Sequence, residues 1–246
     1  MEPVIVLDNV TKTYPHYGYI KAGFKTFLFN IPKAIYGTLK RRFTALENIS
    51  FEVYKGECLG IIGRNGAGKS TLLGLIAGVI KPDRGTVIVK GRVLPLLELG
   101  AGFHPELTGR ENIILNGILL GMTKKEVLKK LDQIIDFSEL REFIDQPLRT
   151  YSSGMVARLG FSVVAHLEPD ILLIDEVLAV GDINFQKKCM DKIMSFRKNS
   201  VTILLVTHVP DQVEKLCDRA IWIDEHRIKA IGNHADICKL YKESLV

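Results

Sequence analysis

Along this chain, short apolar runs alternate with segments of helical periodicity. Residues 4–14 (VIVLDNVTKTY) mix β-branched and polar positions and predict a strand. Strand character breaks off at 15 and resumes at TALENISFEVYKGE and CLGIIG, then again at GTVIVKG and RVLPLLEL. ILLID (171–175) and TILLV (202–206) are continuous apolar runs, the mark of strands buried on both faces. A helix is expected over 69–77. Thr108 with Glu111 and Thr123 with Glu126 each have capping-box spacing. Beyond Glu126, the residues Val127, Leu128, Leu131, Ile134 and Ile135 recur on one helical face, with Lys124, Lys125, Lys129 and Lys130 at polar positions on a solvated side. Further helices are expected over 154–167, 185–197 and 211–217, two short strands over 220–231, and a last helix ending near Val246. Strands alternating with helices predict an α/β fold with a mostly parallel sheet and crossover helices.

The 246 residues suit one α/β domain, 1–246, rather than two. At 47% hydrophobic and 25% charged the composition is that of an ordinary globular chain, and the net charge of +5 permits contact with phosphate or anionic lipid without requiring it. The start, MEPVIVLDNV, lacks the pattern of a signal peptide, and no apolar run approaches a membrane span, so any membrane role would come through a partner. Cys58, Cys189, Cys217 and Cys238 are scattered with no C-x-x-C pair, which reads as free thiols in a reducing compartment. Residues 15–43 gather Tyr17, Tyr19, Phe24, Phe27, Phe29 and Tyr36 among lysines and arginines. They read as an insertion between two strands, either lying at a membrane surface or packing on the same subunit as an exposed hairpin.

Gly63, Arg64, Asn65, Gly66, Ala67, Gly68, Lys69 and Ser70 match G-x-x-x-x-G-K-[ST] between an apolar strand and a helix, with Thr71 following. The glycines let backbone N–H groups turn inward as an anion nest, and the helix N-terminus adds partial positive charge. Lys69 can reach the outer phosphates of a nucleotide and Ser70 can ligate Mg²⁺. A bare glycine turn would need neither the strand nor the helix. Asp175 and Glu176 end the buried run ILLID-E, where ligands of open α/β sheets bind. Asp175 would face the metal held by Ser70, and Glu176 could polarise an attacking water. His208, at the end of TILLVTH, could hydrogen-bond the γ-phosphate or that water. Each of these taken alone could be an ordinary strand-end residue.

Tyr151-Ser152-Ser153-Gly154-Met155, opening a helix just before ILLIDE, resembles the signature Leu-Ser-Gly-Gly-Gln of ATP-binding cassette proteins, with Ser152 and Gly154 retained. The resemblance covers almost the whole chain. It implies a P-loop NTPase cassette with a mostly parallel sheet core, an antiparallel β subdomain, a helical subdomain at about 104–168 and a C-terminal helix at about 232–246. It implies ATP and Mg²⁺ as the bound groups, and a head-to-tail pair in which Ser152, Ser153 and Gly154 cap the γ-phosphate of the partner's ATP. Tyr14 stands where the family stacks an aromatic on adenine. Asp182 stands in the loop that crosses the dimer interface. The family's usual Gln between phosphate loop and helical region is missing, and Glu98 is the nearest polar substitute.

The stretch LELGAGFHPELTGREN, together with the Tyr-Ser-Ser-Gly-Met signature, resembles the polysaccharide-export branch of that family. Members of that branch move lipid-linked O-antigen, capsule or teichoic acid chains out of bacteria. What this implies is an ATPase at the cytoplasmic face of the inner membrane, peripheral through an integral membrane permease, paired with a second copy of itself and touching lipid-linked polysaccharide indirectly. Nucleic acid is not an expected partner. A soluble cassette ATPase acting on DNA or ribosomes would carry a second cassette or a long coiled coil. A P-loop kinase would leave residues 151–155 unexplained.

Overall fold

The computed structural model describes residues 2–15, 42–96, 100–175 and 181–245. Most of the 15–43 insertion, as well as Glu98 and Glu176, therefore lies outside the described residues.

Two sheets organise the chain. The larger has six strands in the order β5 (Val93–Leu96), β6 (Ile171–Asp175), β7 (Thr202–Val206), β3 (Cys58–Ile62), β8 (Arg219–Asp224) and β9 (Arg227–Asn233). Its pairings are parallel except for the β8–β9 hairpin at one edge. The smaller is antiparallel, with β2 (Arg42–Tyr54), β1 (Pro3–Pro15) and β4 (Arg84–Val89) in that order.

The central strands are apolar except at their ends, Thr202 and Asp175, because both of their faces are covered. Successive side chains on a strand point to opposite faces. Leu172, Ile174, Ile203 and Leu205 enter one core, with Ile113, Ile134, Leu159 and Phe185 from the helices. Ile171, Leu173, Leu204 and Val206 enter the other, with Ile5, Leu7, Ile49 and Val53 of the antiparallel sheet and Leu72, Leu73 and Ile76 of α1 (Lys69–Ile76). Truncating one such fully buried leucine to alanine would cost about 2–5 kcal/mol.

Residues between β5 and β6 form α2 (Gly109–Leu119), α3 (Lys124–Ser138) and α4 (Ser153–Ala165). Both expected capping boxes are present, Thr108 with Glu111 and Thr123 with Glu126. Two side chains that the periodicity did not mark tie the preceding loop to α2. The buried Asn112 accepts from the His104 N–H and donates to the carbonyls of His104, Leu107 and Thr108, and the Asn116 amide donates to the Ala101 carbonyl at 2.9 Å. After β6 come α5 (Ile183–Lys198), α6 (Pro210–Leu216) and α7 (His234–Glu243), the last packed on α6, β8 and β9.

Two expectations about α3 change. Leu128 is 48% exposed. It lies about 100° round the helix from Val127, and α2 and α4 cover only the Val127, Ile134 and Ile135 side. Lys130 is half-buried rather than free on a solvated face, and its ammonium donates to the His166 carbonyl and pairs with Glu168 at 2.8 Å. No described helix is long and apolar enough to cross a membrane. All four cysteines are buried and unbridged, and burial pushes the Cys189 thiol up to about 12.

Candidate functional site

The phosphate loop leaves β3 at its carboxyl end and turns into α1. Gly68 is the N-cap of α1, at φ +106, a conformation L side chains rarely adopt. A Cβ there would lie 2.3 Å from the Ala45 carbonyl oxygen, so the loop can lie against β2 only with glycine at this position. At Gly66, φ is +82 with open space around it, and there the need is conformational alone.

The side chain of Lys69, only 7% exposed, arches back over the loop. Its ammonium donates to the carbonyls of Gly63 at 2.8 Å and Arg64 at 3.0 Å. Those contacts keep a nearly buried cation hydrogen-bonded beside the anion nest. Ser70, at the second position of α1, donates its hydroxyl to Asp175 Oδ2 at 3.1 Å. Residues far apart in the chain thus meet because β6 and β3 end on the same edge of the sheet. The pair presents oxygen donors only, the set that a hard divalent cation such as Mg²⁺ takes.

A cavity of about 570 Å³ opens beside this pair. Asn65, Gly66, Gly68, Lys69, Ser70, Thr71 and Asp175 line its polar end, and Tyr14, Phe43 and Ala45 the other. Tyr14 was among the residues singled out from sequence, and Phe43 was not. The signal that could have found Phe43 is a register, since it stands opposite Tyr14 across the β1–β2 pair.

The remaining described candidates are not part of this cavity's lining. His208 is exposed, two residues beyond the end of β7. The adjoining Thr207 hydroxyl bonds to Gln212 at 2.9 Å and receives the Val209 N–H, which shapes the loop that carries the histidine. Ser152 is the N-cap of α4, its hydroxyl accepting from the Met155 N–H at 3.2 Å, and both Ser152 and Ser153 are exposed with Gly154 half-buried behind them.

Asp182 caps α5, accepting from the Phe185 N–H at 3.0 Å. That bond first, and then the guanidinium of Arg158, hold its carboxyl below the usual aspartate range. Arg158 lies on α4, pairs with both Asp182 and Glu139, and stacks on the Phe185 ring at 4.9 Å. The helix that Ser152 opens is therefore ion-paired to the N-terminus of α5. Arg158 was not singled out from sequence, because its partners Glu139 and Asp182 are distant in the chain.

With this geometry in view, the comparisons with known proteins fall in one direction. The ABC transporter family profile matches residues 46–179. An O-antigen export ATP-binding protein RfbB of Klebsiella pneumoniae is 58% identical over 246 residues, covering 100% of both chains. A teichoic acids export ATP-binding protein TagH of Bacillus anthracis is 42% identical over 241 residues, which is 98% of this chain and 43% of that protein. Among solved structures, the fold is similar to a dimeric ATP-binding cassette in a post-hydrolysis state bound to ADP and Pi. The TM-score is 0.71 at 23% identity, over 94% of this chain and 98% of that one, a likeness of fold alone.

Proposed function

The chain belongs to the ABC transporter family, and from that premise we propose that it is the ATP-hydrolysing subunit of an exporter for lipid-linked polysaccharide, with O-antigen as the cargo. One observation carries the ATPase reading: the Ser70 hydroxyl and the Asp175 carboxylate meet at 3.1 Å beside a nucleotide-sized cavity behind the phosphate loop. The cargo reading is supported by likeness to the O-antigen export proteins over the full length of both chains.

In this reading two copies meet head-to-tail. The phosphates of each ATP lie on the nest of residues 63–70 of one subunit, with Ser152, Ser153 and Gly154 of the other closing over the γ-phosphate. The N-terminus of a helix such as α4 suits an anion. Because the signature loop is not part of its own subunit's cavity lining, it is available to a second copy. Ser70 and Asp175 would hold Mg²⁺, which when bound neutralises charge on the β- and γ-phosphates. Lys69 swings from the Gly63 and Arg64 carbonyls to the outer phosphates. Glu176 accepts a proton from the attacking water as the in-line displacement proceeds, and His208 orients that water or the γ-phosphate. Asp182 carries the state of one site towards the other.

ATP favours the closed pair and ADP does not, so hydrolysis reopens it. That motion would drive a separate integral membrane subunit docked against residues 98–112, placing the chain peripherally at the cytoplasmic face of the inner membrane. Glu98 would take the place of the family's glutamine in that contact.

The test is a pull-down from detergent-solubilised host membranes with ATPase activity followed in the complex. A multi-span partner that changes the rate, together with lipid-linked O-antigen in the complex, supports the proposal. Teichoic or capsular glycan there would keep the exporter and change the cargo, while recovery of the chain alone or with nucleic acid would remove the transport role.

A further inference from the structure

The apolar end of the nucleotide cavity is built by two strands. Tyr14, near the end of β1, and Phe43, near the start of β2, stand directly opposite in register. Such partners carry their side chains on one face of the sheet with Cβ atoms about 5 Å apart. Both rings line the cavity, as does Ala45, the next residue on that face of β2. Phe43 is 48% exposed, a large ring left to water where it borders the cavity.

On its other side Phe43 is braced. The His226 ring meets it edge-on, with centroids 5.0 Å apart and planes at 86°. His226 is brought there by the β8–β9 turn, in which Glu225 and His226 have φ of +46° and +68°. This is the mirror-image hairpin turn, which Asn-Gly normally fills. Two ordinary residues in left-handed conformation are unfavourable, and a turn that keeps them needs outside support. The support is visible. The Glu47 N–H donates to the His226 carbonyl at 2.8 Å, and Arg227 grips the Glu47 carboxylate through two nitrogens at 2.8 and 3.1 Å. His226 Nδ1 is buried with no hydrogen-bond partner, so its packing on Phe43, rather than a hydrogen bond from that nitrogen, sets the ring's place.

We propose that Phe43 is a second base-binding residue, contacting the purine ring of the nucleotide alongside Tyr14, and that His226 is its positioning residue. This deepens the reading of the cavity as an ATP site and rests on it. The Phe43 ring has no polar atom with which to read a purine edge, so its contact selects for a flat ring and is the same for adenine and guanine.

Calorimetric titration with two probes tests this: the β,γ-imido analogue of ATP, and inorganic tripolyphosphate, which has the phosphate chain and no base. Phe43→Ala should weaken the nucleotide analogue about tenfold, the scale of one base–aromatic contact, and leave tripolyphosphate unchanged. The β,γ-imido GTP analogue should weaken by the same factor, and Phe43→Trp should restore both. His226→Ala should raise KM for ATP more than it lowers kcat, and His226→Phe, which keeps an edge-on ring, should reverse that. Equal loss for nucleotide and tripolyphosphate, or no loss for either, would overturn the proposal. Failure of the unaltered protein to bind either probe would overturn the ATP-site reading first and this one with it.

Discussion

The Ser70 hydroxyl lies 3.1 Å from Asp175 Oδ2, joining the start of α1 to the end of β6. If the two residues share one divalent cation, losing either should produce the same defect. Ser70→Ala and Asp175→Asn are each expected to lower turnover by about 10²-fold or more, the scale of removing one group that stabilises transition-state charge. Phosphate release followed against Mg²⁺ concentration checks this. Both variants should need more Mg²⁺ for half-maximal rate, and chelation should silence the unaltered protein. An unchanged Mg²⁺ dependence in both variants would separate them from the metal.

Lys69 holds its ammonium on the Gly63 and Arg64 carbonyls within a nearly closed space. A planar guanidinium cannot replace a compact ammonium there. Lys69→Arg is therefore expected to be nearly as defective as Lys69→Ala, each losing roughly 10²-fold or more in kcat/KM. Steady-state kinetics on the two variants decides it, and near-normal activity in the arginine variant would refute the phosphate role assigned here.

Glu176→Gln would keep the side chain's size and remove the proposed base. Binding of ATP should persist while turnover falls by roughly 10²–10⁴-fold. Pairs held together by unhydrolysed ATP should then accumulate, visible as a doubled mass in size-exclusion chromatography with ATP present. Turnover at the normal rate would take Glu176 out of the mechanism.

The proposed head-to-tail pair makes a complementation test possible. Lys69→Ala and Ser152→Arg should each be inactive alone. In an equimolar mixture half the pairs are mixed, and each of these retains one site with both residues intact, so about a quarter of normal activity should return if the sites act independently. No recovery despite mixing, shown by mass spectrometry of the pairs, would put Ser152 outside the partner's site.

The carboxyl of Asp182 is held below the usual aspartate range, first by the Phe185 N–H and then by Arg158. A depressed folded-state value contributes stability above the unfolded value of about 3.9 and loses it as pH falls through the folded one. Asp182→Ala should accordingly melt below the unaltered protein at pH 5–7, with the gap closing below about pH 4. Melting curves across that range measure it, and a gap that stays constant with pH would mean the carboxylate charge contributes nothing.

The parts of this fold that were legible in the sequence are those written locally. The phosphate loop, the two capping boxes and the apolar strands ILLID and TILLV each declare themselves within a few residues, and the rule that ligands bind at strand ends is enough to put Ser70 and Asp175 at one edge. What escaped depends on partners distant in the chain. Phe43 gains meaning from its register with Tyr14 and from a turn at Glu225–His226, and Arg158 from Glu139 and Asp182. Asn112 and Asn116 look like ordinary polar helix positions until the loop they anchor has folded back over them. Leu128 went wrong because a periodic stripe cannot say how wide the covering neighbours are.

The strand order has a consequence for how the protein comes into being. β3, which carries the phosphate loop, sits between β7 and β8, so Cys58 pairs with Ile203 and Leu59 with Arg219. Parallel pairings this distant must wait for loop closure, and they make folding slow. On a ribosome, the strand bearing the phosphate loop, Cys58–Ile62, emerges well before either neighbour, Thr202–Val206 or Arg219–Asp224. The strand that carries the phosphate loop therefore gains its seat in the sheet, and with it the nearness of Asp175 to Ser70, only when segments far along the chain have been made.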